Sequence, residues 1–359
     1  MKEGLLAFWP KISVKRYQDL IAAFGSADAA FAAQPKELEK LPWKPETIWD
    51  FFSWKKSADQ TATQIIEQFE RENIFIICYG SNVYPLILKD LTDPPFVLFI
   101  RGQLALHKKS LAVVGSRQAS EYGINATKKL IPEVAEAGVS IVSGLAKGID
   151  SAAHQAALKV GGHTVAVLGF GIGQADLKHS KEKEKLANTI INSGGAIVSE
   201  YLPGTPGNNF TFPLRNRIIA GLSTATLIIE ARQGSGSLIT ATCAEEDLGR
   251  DVMVVPQPIF SSTGIGANNR IKEGAHLVTE PRDILEILKI TSQPSRPKSA
   301  PNYTPEETLI LASLQIEPKD RDSLTRELKV PAAKLGIFLT NLELAGAIIL
   351  KNTQYYSLL

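Results

Sequence analysis

The chain has 359 residues, a formal net charge of +2, and 44% hydrophobic and 21% charged residues. This length exceeds what one hydrophobic core usually holds, so it predicts two or three domains, and the composition is that of an ordinary globular protein. The small net charge excludes polyanion binding that is driven by overall charge. Any such binding must come from a local basic cluster.

Cysteine content and hydropathy indicate the compartment. Cys78 and Cys243, the two cysteines, have neither disulfide nor metal-ligand spacing, which indicates a reducing cytosol. The N-terminal apolar patch is broken at Pro10 and is too short for a secretory signal. No apolar run approaches the roughly 18 residues that a membrane span needs. We therefore expect a cytoplasmic protein that does not enter a membrane.

Residues 1–72 carry aromatic and aliphatic side chains at helical spacing, with breaks at Gly25 and Pro35. All four tryptophans lie in this stretch, and a role in its hydrophobic core is the favoured interpretation. The pattern predicts a small domain of short helices. Nothing in its residues indicates a function.

Residues 73–290 alternate short apolar runs with helical patterns. Two strand-like runs joined by proline-marked turns come first, and a third apolar run starts at Leu111. From there the predicted strands are 111–115, 139–142, 164–168, 196–199, 226–230 and 251–255, and the predicted helices are 121–137, 182–192, 213–222 and 238–248, with a closing strand and helix in 276–288. This alternation predicts an α/β fold, an extended Rossmann-like, doubly wound parallel sheet.

Two segments follow this region. Residues 291–303 contain three prolines and three serines without apolar periodicity, which predicts a semi-extended linker. Residues 304–359 begin with a helix signal at Thr304 and end in two short strands, which predicts a winged helix. Its six Lys and Arg against seven Asp and Glu argue against a grip on DNA. Instead of binding DNA, the winged helix could contact another protein or be a relic of its family.

The loops after the predicted strands carry the residues with functional chemistry. Ligands of open parallel sheets bind outside the carboxyl ends of the strands. We therefore expect Ser116, Arg117, Ser143, Gly144 and Lys147 along one rim. The Arg117 guanidinium can meet a phosphate with two parallel hydrogen bonds, and a surface ion pair is the other interpretation.

A second cluster opens the helix predicted from residue 213. Its first turn holds Arg215, Asn216 and Arg217, so donors lie where an anion would bind. Arg215 and Arg217 lie about 200° apart around a helix, so one would bind and the other would brace. Phe212 could stack a base or belong to the core, and its residue type alone favours the core.

A third cluster, residues 230–240, again follows a strand and opens a helix. Its small residues Ser235, Gly236 and Ser237 leave backbone amides accessible to a phosphate. The alternating charges of residues 181–185, by contrast, are typical of a solvated helix face.

Several enzyme signatures are missing from the sequence. It has no phosphate-binding P-loop, no dinucleotide fingerprint, no metal-ligand spacing among its histidines and no nucleophile elbow. Asp150 and His154, four residues apart, could form an acid–base pair, but a structural helix contact is favoured. The sequence therefore predicts binding rather than turnover, without a cofactor or a metal.

Taken together, these motifs resemble the DprA/Smf DNA-processing proteins of bacteria over residues 74–290. The stretches that carry the resemblance are 115–117, 143–154, 199–201, 212–217 and 235–240. The predicted helical region in front, as a SAM-like domain, and the winged helix behind fit this family too. The resemblance implies a non-catalytic protein that binds and protects single-stranded DNA and loads the RecA recombinase on it during natural transformation.

The resemblance also implies roles for individual residues. Arg117 would be the main phosphate ligand, and Lys178, Arg215 and Arg217 would add positive charge. Phe212 would stack a base, which now favours stacking over the core. The family's homodimer surface would include Asn268, Ile271 and Leu277.

The chain departs from the family pattern in three places. Asp176-Leu177 replaces a Tyr-Pro pair, Gln257 replaces a glycine, and Asn209 replaces a lysine found in some members. Two other functions remain open. Related sheets include phosphoribohydrolases, which have a glycine loop. Residues 233–237 resemble that loop only loosely. The other open function is that of a scaffold protein whose winged helix binds a partner.

Overall fold

The structure is a computed structural model that describes residues 2–106, 109–178, 180–290 and 303–357. These residues form two compact units, the first ending at residue 290 and the second beginning at residue 303. Apart from Tyr303, the predicted linker lies outside the described residues.

The first unit combines helices with one large sheet. Its α-helices are α1 (Glu3–Leu6), α2 (Val14–Phe24), α3 (Ala27–Ala32), α4 (Pro35–Leu38), α5 (Pro45–Glu72), α6 (Glu121–Glu136), α7 (Ile149–Lys159), α8 (Gln174–Leu177), α9 (Lys181–Asn192), α10 (Thr211–Gly221), α11 (Gly236–Thr242), α12 (Ile265–Lys272) and α13 (Pro281–Ile287). Its strands are β1 (Ile74–Cys78), β2 (Val97–Gly102), β3 (Ser110–Gly115), β4 (Ser140–Ser143), β5 (Thr164–Leu168), β6 (Ala196–Ser199), β7 (Ala225–Glu230), β8 (Val252–Val254) and β9 (His276–Leu277).

The nine strands pair in the order β1-β2-β6-β5-β4-β3-β7-β8-β9. All neighbours from β6 to β9 are parallel, which confirms the predicted doubly wound sheet. The two strands predicted ahead of Leu111 instead form an antiparallel edge beside β6. The direction of winding reverses between β3 and β7, so this is the switch point at which such sheets bind ligands.

Strand β3 explains why the parallel strands show no hydrophobic alternation in the sequence. Leu111 and Val113 point into a core shared with α6, α7 and α13, while Ala112 and Val114 point into a second core shared with α10 and α11. Because helices cover both faces, the four central positions, 111–114, are all buried and apolar.

The N-terminal helices form a third core with one face of the sheet. Trp9 is buried in it together with Phe51, and strand residues such as Leu168 join the same core. Trp43 and Trp54 pack against this core, whereas Trp49 is exposed. Helix α5, with 28 residues, is much longer than the short helices expected here. The domain boundary at residues 72 and 73 stays a prediction.

The second unit has the order helix, strand, helix, helix, strand, strand. These elements are α14 (Pro305–Ile316), β10 (Lys319–Asp320), α15 (Arg321–Leu328), α16 (Ala332–Leu344), β11 (Ile348–Lys351) and β12 (Gln354–Ser357). The three strands pair as β10-β12-β11 beside a leucine-rich core. This arrangement confirms the predicted winged helix. In the described part of the chain, none of the helices is long and apolar enough to cross a membrane.

His154 on α7 is fully buried and has a structural role. Its Nδ1 lies 2.7 Å from Thr164 Oγ1, which in turn donates to the Ile141 carbonyl at 2.8 Å. Because the threonine proton is committed to Ile141, Nδ1 must carry the imidazole proton. Burial lowers the pKa of His154 to about 3. Asp150 accepts backbone amide bonds from Gly144 and Ala146 instead, so the two side chains have separate hydrogen-bond partners.

Acidification should destabilise the protein through His154. The unfolded imidazole takes up a proton near pH 6.5, whereas the folded one stays neutral until about pH 3, so the free energy of unfolding falls as the pH drops between these values. At about pH 5 this loss is about 2 kcal/mol. Urea unfolding of the wild type and of His154→Asn, whose amide can still donate to Thr164, measures it. Equal pH dependence in the two proteins would contradict this assignment.

Candidate functional site

A cleft of about 570 Å³ opens at the carboxyl ends of β3 and β7, and we call it the switch-point cleft. Gly115 at the end of β3 pairs with Glu230 at the end of β7. Arg117 and Arg232 each follow two residues later, line the cleft and are exposed. Two accessible guanidinium groups thus lie where a doubly wound sheet binds its ligand.

Glu230 closes the position that a dinucleotide would need. Its fully buried carboxylate accepts hydrogen bonds from the Ser120 amide (3.0 Å) and hydroxyl (2.8 Å) at the start of α6. A Cβ at Gly123 would lie 2.4 Å from the same carboxylate, so only glycine fits there. In dinucleotide-binding sheets this helix N-terminus holds the pyrophosphate. Here the Glu230 carboxylate occupies that helix N-terminus. An anionic ligand must therefore bind farther out, near Arg117.

The loop that carries Arg117 is held through its backbone. The Ser116 amide donates to the Glu230 carbonyl at 2.8 Å, and the Ile149 amide donates to the Ser116 carbonyl at 3.2 Å. Gly148 approaches this loop with a φ of +87°, and a Cβ there would lie 2.3 Å from the Ser116 carbonyl oxygen. The backbone is thus fixed while the Arg117 side chain stays in solvent, which preorganises it for a ligand.

Cations and aromatic rings alternate from the cleft toward α9: Arg117 and Phe212 line the cleft, and Phe170 and Lys183 lie next to them outside its lining. The Arg117 guanidinium lies 5.1 Å from the centre of the half-buried Phe212 ring. The centres of the Phe212 and Phe170 rings are 6.5 Å apart in an edge-to-face arrangement. The Lys183 ammonium lies 5.8 Å from the Phe170 ring. Burial, and then the charges of Arg117 and Arg215, lower the pKa of Lys183. Together these side chains form a basic and aromatic wall, which offers a ring face bordered by positive charge.

Arg215 is a buried residue that lines the same cleft. It is 4% exposed, and its Nη1 donates to the Gly144 carbonyl at 2.8 Å and to the Val167 carbonyl. Its Nε donates to Asn216 Oδ1 at 3.2 Å. Burial lowers the pKa of Arg215 to about 10. Arg215 thus connects the ends of β4 and β5, and its positive charge lies beneath the surface of the cleft.

Arg217 also braces the fold, so the expectation that one of the two arginines binds and the other braces needs correction. Its Nη2 lies 2.6 and 2.9 Å from the two carboxylate oxygens of Glu200 and 3.9 Å from Asp93. It does not line the switch-point cleft. Burial raises the pKa of Glu200, and the neighbouring Arg217 charge opposes that rise. Each side chain therefore depends on the other.

The predicted site residues separate into two groups. Those that line the cleft are Ser116, Arg117, Phe212, Arg215, Asn216, Ser235, Gly236 and Ser237. Those that do not are Ser143, Gly144, Lys147, Lys178 and Arg217.

The expectation of one shared rim is corrected by burial and by loop direction. Ser143 is fully buried and donates to the Val113 carbonyl at 2.6 Å, and Gly144 packs against Arg215. Lys178 is exposed at the end of α8, and Lys147 lines a different groove, between α6 and α7.

Sequence reasoning missed two basic residues, Arg232 in the lining of the cleft and Lys183 beside it. Arg232 comes two residues after the end of β7, just as Arg117 comes two residues after the end of β3. This equal spacing in the sequence could have predicted it. Lys183 lies in the run of alternating charges at residues 181–185, which the sequence predicts to be a solvent-exposed helix face. Unlike Lys181 and Lys185, it is half-buried against the aromatic wall. Only the packing of α9 on the sheet distinguishes it.

The loop at the start of α11 is tied to α10. The Ser235 and Ser237 hydroxyls lie 2.8 Å apart, and the Asn216 amide donates to the Gly236 carbonyl at 3.0 Å. These bonds hold the small residues of this loop along the cleft.

Two departures from the family pattern have visible structural roles. Asp176 accepts hydrogen bonds from the Gly173 amide at 2.8 Å and the Gly204 amide at 3.0 Å, which joins the loops after β5 and β6. The buried Gln257 amide donates to the Ile229 carbonyl at 2.7 Å. Each side chain thus combines a local hydrogen bond with one to a distant part of the chain.

The predicted dimer residues lie around α12 and the edge strand β9. Asn268 exchanges two hydrogen bonds with the Gln257 backbone, at 2.9 and 3.0 Å, so its side chain serves its own chain. Ile271 is half-buried against the core, and Leu277 is 50% exposed. Among the described residues, no group of three or more metal-ligating side chains is close enough together to hold a metal ion.

The fold and cleft define an α/β protein of the Rossmann type that has a closed pyrophosphate position, an exposed basic and aromatic wall, and a winged helix. This chain belongs to the DprA/Smf family of DNA-processing proteins. Residues 75–289 match the family model for DNA recombination-mediator protein A, and residues 294–349 match the DprA winged helix domain.

Similar proteins come from several bacteria. The chain is 41% identical to Protein Smf of Escherichia coli K12, over 77% of this chain and 75% of that one. It is 45% identical to DNA processing protein DprA of Streptococcus pneumoniae R6, over 57% of this chain and 71% of that one. The X-ray structure of DprA from Streptococcus pneumoniae is 33% identical, with a TM-score of 0.67, over 80% of this chain and 98% of that one.

A DNA processing protein A from Helicobacter pylori gives a second structural match. It is 26% identical, with a TM-score of 0.53, over 60% of this chain and 95% of that one. That structure was solved to describe a single-stranded DNA binding mode.

Arg217→Ala should destabilise the fold, because it leaves the Glu200 carboxylate without its counter-charge. We expect the free energy of unfolding to fall by about 2–3 kcal/mol, below the full cost for a buried pair because both side chains retain some solvent contact. Urea denaturation measures the loss. The matched control is Arg282→Ala, which breaks an exposed ion pair with Glu286 and should cost at most about 0.5 kcal/mol. Equal losses in the two variants would contradict the bracing role.

Proposed function

We propose that the switch-point cleft binds single-stranded DNA and that the protein acts as a non-catalytic DNA-processing mediator of recombination in natural transformation. The observation that carries this proposal is the wall on which the Arg117 guanidinium lies 5.1 Å from the half-buried Phe212 ring. The single-stranded DNA binding mode described for the related Helicobacter pylori protein supports it.

The wall suits a single strand better than a duplex. A base can stack on the Phe212 ring only if it is free of its own neighbours, and such stacking is worth roughly 1–3 kcal/mol per base. Arg117 and Arg232 can meet the flanking phosphates with paired hydrogen bonds. Lys183, which lies over the neighbouring Phe170 ring, and the buried Arg215 add positive potential beside the Phe212 ring.

The alternative of a nucleotide-cleaving enzyme is less well supported. Asp150 lines the cleft, but it is buried and accepts the Gly144 and Ala146 amides. Glu230, at the end of β7, is fully buried and caps α6 through Ser120, so it does not face a ligand either. Its position also takes the helix N-terminus that a nucleotide phosphate would use. A strand held from outside by Arg117 needs neither group.

We also propose the partners and location that the family implies. These are a RecA recombinase loaded on the bound strand, a second copy of this chain, and a cytoplasmic setting. Leu277, Ile265 and Phe260 support the homodimer, since these apolar side chains are exposed on or near α12 and β9. The winged helix fits a protein contact, because Ile337 and Leu344 on α16 are exposed.

Arg117→Ala should weaken binding of a labelled oligo-dT by at least about tenfold without lowering the thermal midpoint, because it removes a charge-assisted contact from an exposed side chain. The slope of log affinity against log salt should fall by about 0.7, the value for one phosphate contact on a single strand. Fluorescence anisotropy measures both. Arg282→Ala is the matched exposed arginine, and an effect of similar size there would overturn the site assignment. Wild-type preference for duplex would overturn the single-strand proposal.

Leu277→Arg should convert a dimer to a monomer, because it places a charge on a half-exposed apolar position of the edge strand. Sedimentation of the wild type and the variant at equal concentration measures the change in mass. Val83→Arg is the control, since Val83 is 69% exposed in the loop after β1, at the opposite edge of the sheet. A wild-type monomer, or a variant that remains dimeric, would count against this surface.

A further inference from the structure

A second cavity, of about 1000 Å³, lies between α6 and α7 on the other side of the loop that carries Arg117. We call it the helix groove. One face of α6 supplies Ile124, Lys128 and Pro132, each four residues from the next. One face of α7 supplies Gln155 and Lys159 at the same spacing. Residues at this spacing lie along one side of a helix, so both walls run the length of the groove.

The groove is positively charged and contains no opposing carboxylate. Arg117, Lys128, Lys147 and Lys159 line it, and its lining includes neither Asp nor Glu. All four side chains are exposed. In the part of the chain that the structure describes, none of the three lysines forms an ion pair or a side-chain hydrogen bond. Their charges therefore add to one another across the groove and favour an anion.

Arg117 connects the two cavities, because it lines both the switch-point cleft and the helix groove. The next residue of the loop, Gln118, also lines both. A chain of phosphates that meets Arg117 from the cleft can therefore continue over this loop to Lys147. Lys128 and Lys159 lie farther along. The groove extends about 12 Å from Ser151 to Lys159 at 1.5 Å per residue, which is room for a few nucleotides.

We infer that the helix groove is a second binding site for single-stranded DNA, which continues the strand held in the switch-point cleft. Lys147, Lys128 and Lys159 contact its phosphates, and the apolar floor of alanine, isoleucine and proline side chains contacts sugars and bases. The inference rests on the proposed function of the cleft. It explains why Lys147 carries an accessible charge although it lies outside the cleft.

The groove makes binding depend on strand length, which gives a direct test. We compare a short oligo-dT that fills only the cleft, about 5 nucleotides, with one of about 20 nucleotides. The variant is Lys128→Gln with Lys159→Gln. The matched control, Lys129→Gln with Lys185→Gln, removes the same charge from exposed lysines of α6 and α9 that lie outside both cavities. Anisotropy at several salt concentrations provides affinity and salt slope.

We expect the groove variant to bind the long strand about tenfold more weakly than the control, with a salt slope lower by about 1.4, as the loss of two phosphate contacts requires. Its affinity for the short strand should match the control. A long strand with a photoreactive thymidine at one end should also cross-link to the peptide containing residues 149–159, and this cross-link should disappear in the variant.

The outcomes separate this inference from the proposed function. If Arg117→Ala abolishes binding of both lengths while the groove variant binds the long strand like the control, the groove inference is wrong and the cleft proposal stands. If the wild type binds neither length, both are wrong. If the groove variant loses only the binding of a labelled acidic peptide, the groove is a protein-docking site and the inference is overturned.

Discussion

The arrangement of the whole site depends on the buried charge of Arg215. Its guanidinium donates to carbonyls at the ends of β4 and β5, and the Asp150 carboxylate nearby accepts the Gly144 and Ala146 amides. Burial lowers the pKa of Arg215 to about 10 and raises that of Asp150, so each charge is costly alone and is offset by the other. The pair fixes the loop 144–150, and through Gly148 it fixes the backbone that carries Arg117.

Burial divides four arginines near the carboxyl ends of the strands between two roles. Arg215 and Arg217 spend their donors on carbonyls and on Glu200, whereas Arg117 and Arg232 remain exposed around the cleft. The division follows from position. The first two lie on α10, which packs on the sheet, and the other two lie in loops beyond the strand ends. The same residue type is therefore structural beneath the cleft and available to a ligand at its mouth.

The filled pyrophosphate position changes what an ordinary doubly wound sheet can bind. Because the Glu230 carboxylate caps the start of α6, the helix N-terminus no longer attracts a phosphate. The exposed positive charges of the cleft are then those of Arg117 and Arg232. An outward-facing site suits a polymer that passes across the surface rather than a small molecule that is enclosed. The helix groove beyond Arg117 extends this surface on the side of α6 and α7.

The sequence by itself determined the doubly wound sheet, the winged helix and the position of Arg117 in a loop at a strand end, because these follow from local patterns: apolar runs, helical spacing and glycine loops at strand ends. Tertiary structure alone decided that β1 and β2 pair beside β6, that Arg217 meets Glu200, and that Lys183 rather than Lys178 lies beside the aromatic wall. These outcomes depend on pairing and burial between residues far apart in the chain, which no local pattern records.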